Sequence, residues 1–92
     1  MSYGKKLLVI DDEPALRMMV RAVVEDAGWS VAEAGSGEAG IEHLASHNVN
    51  VVLLDMRMTG IDGSETLAII HEKYPNLPVI MLTAFGTVGS AV

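Results

Sequence analysis

The sequence contains no cysteine, only three prolines and few aromatic residues, which make up 4% of its 92 residues. Without cysteine the chain forms neither disulfides nor thiolate metal sites, and this composition fits a reducing compartment. Basic residues are also scarce, because six lysines and arginines stand against 12 acids and give a formal net charge of −6. Such an acidic chain disfavours nucleic-acid phosphates and anionic membranes, and it suits a cation or a partner with a basic surface.

Long apolar runs are missing as well. The four aliphatic residues that follow Lys5 and Lys6 are too few for a signal peptide, and no other run is long enough to cross a bilayer. Half of the residues are nevertheless hydrophobic and 20% are charged, which is typical of a chain that forms a core. We expect one soluble, cytoplasmic domain over residues 1–92, a short length for a complete α/β domain.

Short aliphatic runs alternate with amphipathic stretches along the chain. Leu7–Ile10, Val51–Leu54 and Val79–Leu82 have the unbroken aliphatic character of strands buried on both faces of a parallel sheet. Trp29–Ala34 alternates more and predicts a less buried edge strand. The resulting order β-α-β-α-β-α-β, with short connections, predicts right-handed crossovers and helices on both faces of the sheet.

Capping and breaking residues delimit the predicted helices. The first helix starts at Pro14 and ends near Ala27, with an inward apolar stripe of Leu16, Met19, Val20, Val23 and Ala27. The second runs from its cap Ser36 to about Ser46, and the third is capped by Ser64. The inward residues of the second helix are Ile41, Leu44 and Ala45. Residues 85–92 are predicted to form a loop that enters another helix.

Acidic residues follow two of the predicted strands directly. Asp11 and Asp12 come after the first strand and Asp55 after the central one, so the three carboxylates converge if the strands are neighbours. Two unit charges about 4 Å apart repel by roughly 1 kcal/mol in water and roughly 4 kcal/mol at an effective dielectric constant near 20. A divalent cation, best Mg²⁺, would compensate that repulsion. The alternative is that these acids only cap the helices that follow.

At this point the sequence resembles the receiver domain of two-component response regulators. The resemblance covers the chain from Lys6 to its end, and residues 83–88 are similar to receivers of σ54-type transcriptional activators. It rests on acids after the first and third strands, a glycine-containing loop and a threonine after the fourth strand: Asp11-Asp12, Asp55, Met58, Gly60-x-Asp62-Gly63 and Thr83-Ala84.

The resemblance implies a flavodoxin-like, doubly wound parallel sheet with strand order 2-1-3-4. The family's fifth strand, last helix and the lysine after the fifth strand are missing from this chain, and Thr59 stands where the family usually has proline. We therefore expect a receiver that is incomplete at its C-terminus. The strand Val79–Leu82 would then be an open edge that could recruit a second chain, as a dimer or a domain swap.

The resemblance also implies a function and its residues. Asp55 would accept a phosphoryl group from a sensor histidine kinase and relay the signal to an output domain beyond residue 92, which the resemblance implies to be transcriptional. Asp12 would bind Mg²⁺ directly, Asp11 through water and Arg57 through its backbone carbonyl, while the Thr83 hydroxyl would bond the new phosphoryl group. Apart from this self-directed chemistry the domain would not be an enzyme, and it would contact neither nucleic acid nor membrane.

Other functions remain open on the residues alone. One is a receiver-like binding module that takes no phosphoryl group. Another is a Mg²⁺-dependent phosphatase with an aspartyl nucleophile, although Arg57 occupies the position where such enzymes commonly have a second acid. His43 and His47 have the i, i+4 spacing of a zinc pair, but without a third ligand in the sequence pattern a solvated helix end is the better interpretation.

Overall fold

Five strands form one sheet in the computed structural model, which describes residues 5–57 and 62–82 and the backbone of residues 88–90. The sheet order is β2-β1-β3-β4-β5. The strands β1 to β4 pair in parallel, which confirms the predicted order 2-1-3-4. The elements are β1 (Lys6–Ile10), α1 (Pro14–Asp26), β2 (Ser30–Ala34), α2 (Gly37–Ser46), β3 (Val51–Asp55), α3 (Gly63–Lys73), β4 (Val79–Leu82) and β5 (Val88–Ser90).

The last strand, β5, runs antiparallel to β4, with Val88 opposite Leu82. The predicted loop and helix over residues 85–92 are therefore wrong for Val88–Ser90, while residues 83–87, 91 and 92 lie outside the described residues. A strand edge presents a row of N–H and C=O groups that need partners, and here the returning chain supplies them. The open edge on which we based the expectation of an edge-paired or swapped dimer is thus occupied by the chain itself.

The main core lies between the sheet and the helices α2 and α3. It is a continuous cluster of buried side chains from the strands β1, β2, β3 and β4 and from the helices α2 and α3: Leu8, Ile10, Ala34, Leu44, Val52, Leu54, Ile70, Val79 and Met81. Leu67 and Tyr74, at the start and end of the same face of α3, also pack against this cluster. Ala45, by contrast, is exposed, so the inward face of α2 is narrower than expected.

The opposite face of the sheet carries a smaller cluster under α1. Leu7, Val9 and Val31 are its buried members, and α1 reaches them through Val20 and Val24. The stripe expected to face inward is therefore wrong at Met19 and Val23, whose side chains are 57% and 67% exposed, and at Ala27, which is also exposed. No residue of α1, all of which the structure describes, is buried.

The position of α1 over the sheet explains which of its side chains face inward. It contacts β1 and β2, so the same face of β3 receives less cover. Val51 and Leu53 point to that face and are half-buried, whereas Val52 and Leu54 on the other face are completely buried. Burial on both faces, as predicted from the aliphatic runs, therefore holds for β1 and not for β3 or β4, in both of which buried and half-buried residues alternate.

The helix starts follow ordinary capping chemistry. Pro14 is the first residue of α1, as predicted, and the Ser36 hydroxyl accepts the Ala39 N–H at 3.1 Å ahead of α2. The cap of α3 is Asp62 and not Ser64, because the Asp62 carboxylate accepts the Glu65 N–H at 2.9 Å. No helix within the described residues is long and apolar enough to cross a bilayer.

Gly40 explains how α2 approaches the sheet so closely. A Cβ atom at this position would lie 2.4 Å from Ile10 Cδ1 and 2.8 Å from Ile10 Cγ1. Ile10 is completely buried, so its side chain has little room to move away. The glycine that lowers the helix propensity of α2 in the sequence is thus required by the contact between α2 and β1.

We expect Gly40→Ala to destabilise the protein by about 1–3 kcal/mol, the usual cost of overpacking a core, although alanine is the better helix former. The measurement is the free energy of unfolding in urea. In a double-mutant cycle, Ile10→Val removes the nearest methyl group, so the alanine should cost less in that background. A stabilising effect, or an equal cost in both backgrounds, would show that the contact with Ile10 does not limit the site.

Candidate metal centre

Three carboxylates converge at the carboxyl end of the sheet. One carboxylate oxygen from each of Asp11, Asp12 and Asp55 lies within 4.8 Å of the other two. Ile10 pairs with Leu54, so Asp11 follows β1 at the level where Asp55 ends β3. Within the part of the chain that the structure describes, these aspartates are the one group of three or more acidic, histidine or cysteine side chains placed to share a metal ion.

Asp11 is held by the protein at three of its four polar groups. Its N–H donates to the Ala34 carbonyl at 3.0 Å, and its own carbonyl accepts from Arg17 Nη1 at 2.7 Å. Its Oδ1 accepts the Glu13 N–H at 2.9 Å. The remaining atom, Oδ2, is buried and has no hydrogen-bond partner among the described residues. Buried polar atoms are normally paired, so this oxygen is a natural position for a ligand.

The electrostatics of Asp11 agree with that interpretation. Burial raises the pKa of its carboxyl group, the Glu13 N–H partly offsets this effect, and the carboxylates of Asp55 and Asp12 raise the pKa further. A cation beside Oδ2 would relieve both the desolvation and the like-charge repulsion. Carboxylate oxygens with access to water are the donors that Mg²⁺ prefers, and the three aspartates therefore fit that ion.

Asp55 is half-buried and sits at a tightly built turn. Its Oδ1 accepts the Arg57 N–H at 3.1 Å, and the following N–H, of Met56, donates to the Leu82 carbonyl at 3.1 Å. A Cβ atom on Gly63 would lie 2.8 Å from the Asp55 carbonyl oxygen and 2.6 Å from Met56 Cα. The start of α3 therefore packs directly against the backbone that carries Asp55, which only glycine permits.

Of the other predicted site residues, the structure describes Arg57 only. Arg57 is exposed, and the contact that the structure gives it at the site is made by its amide, so the ligand role of its carbonyl remains a prediction. Thr83, Met58 and Thr59 lie outside the described residues, as does Gly60. Arg17 carries no signal in the sequence pattern, because its contact with Asp11 depends on how α1 lies over β2.

The histidine pair lies away from this centre. The rings of His43 and His47 stack with their centroids 4.2 Å apart, and His47 Nδ1 lies 2.9 Å from Ser46 Oγ. Burial, with the charges of His47 and Lys6, lowers the pKa of His43, which favours its neutral form. His47 also lines a cavity of about 310 Å³ near the amino ends of β3 and β4, which contains none of the three aspartates.

Comparison with known proteins identifies the class of domain. The model of the response regulator receiver domain family matches residues 7–92, and the chain belongs to this family. It is 38% identical over 86 residues to the transcriptional regulatory protein GlrR of Escherichia coli, which covers 94% of this chain and 19% of GlrR. It is 33% identical over 88 residues to the nitrogen assimilation regulatory protein NtrX of Azorhizobium caulinodans, which covers 94% of this chain and 19% of NtrX. The chain thus spans about a fifth of the length of these relatives.

A solved receiver structure agrees with the fold. The response regulator TrrA of Thermotoga maritima, in complex with Mg²⁺-BeF, has a TM-score of 0.84 and 35% identity, over 87% of this chain and 70% of TrrA. TrrA in complex with the histidine kinase ThkA has a TM-score of 0.84 and 34% identity, over 90% of this chain and 72% of that chain. The family is one of two-component signalling domains, and TrrA was solved with Mg²⁺-BeF bound.

We expect Asp11→Asn to stabilise the metal-free protein at neutral pH by about 1 kcal/mol, the repulsion between two unit charges about 4 Å apart in water. The pKa of Asp11 is raised in the folded state above its ordinary value of 3.8, so the folded protein holds this proton more tightly than the unfolded chain. The contribution of the Asp11 carboxyl group to the free energy of unfolding therefore falls as the pH rises from its ordinary pKa through its raised pKa in the folded state.

The measurement is urea unfolding of both proteins in EDTA from acidic to neutral pH, and the advantage of the variant should grow with pH. Glu42→Gln, which removes an exposed charge from α2, is the matched control and should show no such growth. A constant difference between Asp11→Asn and the parent protein across this range would contradict the prediction. With saturating Mg²⁺ the order of stability should reverse.

Proposed function

We propose that this chain is the phosphoacceptor switch domain of a two-component response regulator, with Asp55 as the acceptor and Mg²⁺ as the cofactor. The observation that carries the proposal is the buried Oδ2 of Asp11, which has no hydrogen-bond partner among the residues that the structure describes and lies beside the carboxylates of Asp12 and Asp55. Acids that merely cap helices have no need of such an atom. The proposed domain covers residues 1–92, and the family match covers residues 7–92.

All three aspartates would take part in binding the cation, and Asp55 would also react with the phosphoryl group. Asp12 and Asp55 would hold Mg²⁺ directly, with Asp11 through water and the Arg57 carbonyl completing the protein donors. When bound, the ion would neutralise and orient the phosphoryl oxygens as their charge shifts during transfer. The half-buried position of Asp55 at the mouth of the sheet leaves its carboxylate accessible to an incoming group.

The reaction would be an in-line phosphoryl transfer. An oxygen of the Asp55 carboxylate forms a bond to phosphorus while the bond between phosphorus and the imidazole nitrogen of a phosphohistidine breaks, and the electron pair returns to that nitrogen. The hydrogen bond from the Arg57 N–H to Asp55 Oδ1 holds the carboxylate in one orientation before the donor arrives. The Thr83 hydroxyl would then bond the new phosphoryl group.

The family and the relatives support the partners that we propose. The ThkA complex supports a sensor histidine kinase as donor, and the longer relatives GlrR and NtrX support an output domain, with transcription as its task. A cytoplasmic location fits both partners. We propose no enzymatic activity toward other molecules, since Arg57 offers no acid where an aspartyl phosphatase commonly has one.

We expect Asp55→Asn to abolish phosphorylation by a cognate phosphohistidine kinase or by acetyl phosphate, because an amide keeps the shape of the side chain but is a very poor nucleophile. The measurement is incorporation of labelled phosphate that hydroxylamine releases, made on the full-length protein with Mg²⁺ present.

Asp26→Asn is the matched control, because it makes the same chemical change at an exposed position of α1. This variant should be labelled like the parent protein. Hydroxylamine-sensitive label that persists in Asp55→Asn would move the acceptor elsewhere, and equal loss in both variants would point to a defect unrelated to the proposed nucleophile.

A further inference from the structure

We propose that Arg17 is a positioning residue for the metal centre: it fixes the backbone carbonyl of Asp11 and thereby holds Asp11 Oδ2 in place for the cation. The inference rests on the proposed function, since it concerns the same site. The family comparisons and the aspartate cluster do not assign any role to this arginine.

The guanidinium of Arg17 joins two parts of the molecule. Its Nη1 donates to the Asp11 carbonyl at 2.7 Å, and its Nε donates to Glu33 Oε1 at 3.0 Å. The side chain is only 19% exposed, so these bonds are partly shielded from water. An arginine fork is planar and rigid, and two bonds made from the same fork fix the distance between their acceptors.

Glu33 is itself held from a second side. Its Oε2 accepts from Arg21 Nε at 2.6 Å, and Arg21 also pairs with Glu25 at 2.9 Å. The bond from Arg21, and then that from Arg17, lowers the pKa of Glu33, so its carboxylate remains charged and keeps its hold on Arg17. The fork of Arg17 is therefore anchored to β2 and does not swing freely.

The two backbone groups of Asp11 are consequently both held from β2. Ala34 accepts the Asp11 N–H directly, and the neighbouring Glu33 holds the Asp11 carbonyl through Arg17. The Glu13 N–H fixes Oδ1, which leaves Oδ2 a single position. Without Arg17 the peptide after Asp11 can rotate, and the oxygens of Asp11 and Asp12 then meet the cation less often in the right arrangement.

If Arg17 only tied α1 to β2, its loss would lower stability without a specific effect on Mg²⁺ binding. Arg21 is the control that distinguishes this structural role from a positioning role. Arg21 binds the same glutamate and ties α1 to β2 in the same way, but its hydrogen bonds go to Glu33 and Glu25 and not to Asp11. Arg17→Gln and Arg21→Gln each remove one partner of Glu33. Only Arg17→Gln removes the hydrogen bond to the Asp11 carbonyl at the metal centre.

The test is a Mg²⁺ titration of the full-length protein, followed by NMR at the amides of Asp12 and Asp55. We expect Arg17→Gln to weaken Mg²⁺ binding about tenfold, at the lower end of losses from residues behind metal ligands. Arg21→Gln should change it less than about twofold, and urea unfolding in EDTA should show comparable losses of stability in both. Arg17→Lys should restore little affinity, because an ammonium cannot make both bonds.

Unchanged Mg²⁺ affinity in Arg17→Gln, or equal weakening in both glutamine variants, would overturn the proposal. Amide exchange in EDTA keeps this result separate from the proposed function: Arg17→Gln should speed exchange at Asp11 and Glu13, and Arg21→Gln should not. If the parent protein does not respond to Mg²⁺, the proposed function fails while the exchange rates still decide whether Arg17 fixes the loop. If Arg17→Gln does not fold, Glu33→Gln, which frees the fork of Arg17, takes its place with the same expectations.

Discussion

The repulsion between three carboxylates at one end of a parallel sheet is the constraint on which the rest of this structure depends. Parallel pairing of β1 with β3 places Asp11 and Asp55 at the same level, and Asp12 follows directly in the chain. Folding gathers these charges although they repel, and it buries Asp11 almost completely, with 1% of its surface exposed. A cation bound among the three carboxylates would cancel their charge and offset this loss of stability, which is the role that we propose for Mg²⁺.

The surrounding fold resists the repulsion by fixing the groups that carry it. The main core, between the sheet and the helices α2 and α3, makes β1 and β3 rigid, with Gly40 allowing α2 to lie directly on Ile10. Gly63 allows α3 to start against the backbone of Asp55. Asp11 and Asp55 are thus attached directly to packed strands. Such fixed ligands are what rapid phosphoryl transfer requires, since a preorganised site needs little rearrangement during the reaction.

The sequence predicts those parts of this account that depend on local patterns. Aliphatic runs ended by acids locate β1 and β3 and bring Asp11 and Asp55 to one edge, and Ser36 marks the start of α2. What it misses depends on neighbours that are distant in the chain. The five-residue stripe of α1 is wider than the contact that the helix makes, so the exposure of Met19 could not be read from its spacing. The residues of β5 become a strand because β4 offers them an edge, and Arg17 reaches Asp11 only once α1 lies over β2.

The most direct test of the central claim is a crystal of this protein soaked with Mn²⁺, which can replace Mg²⁺ and is located by its anomalous scattering. The account predicts one strong peak among the carboxylates of Asp11, Asp12 and Asp55, within direct or water-mediated reach of Asp11 Oδ2, and no peak there in crystals of Asp12→Asn. Ordered water or a protein side chain bonded to Asp11 Oδ2 at saturating Mn²⁺, with no anomalous peak at the three aspartates, would contradict it.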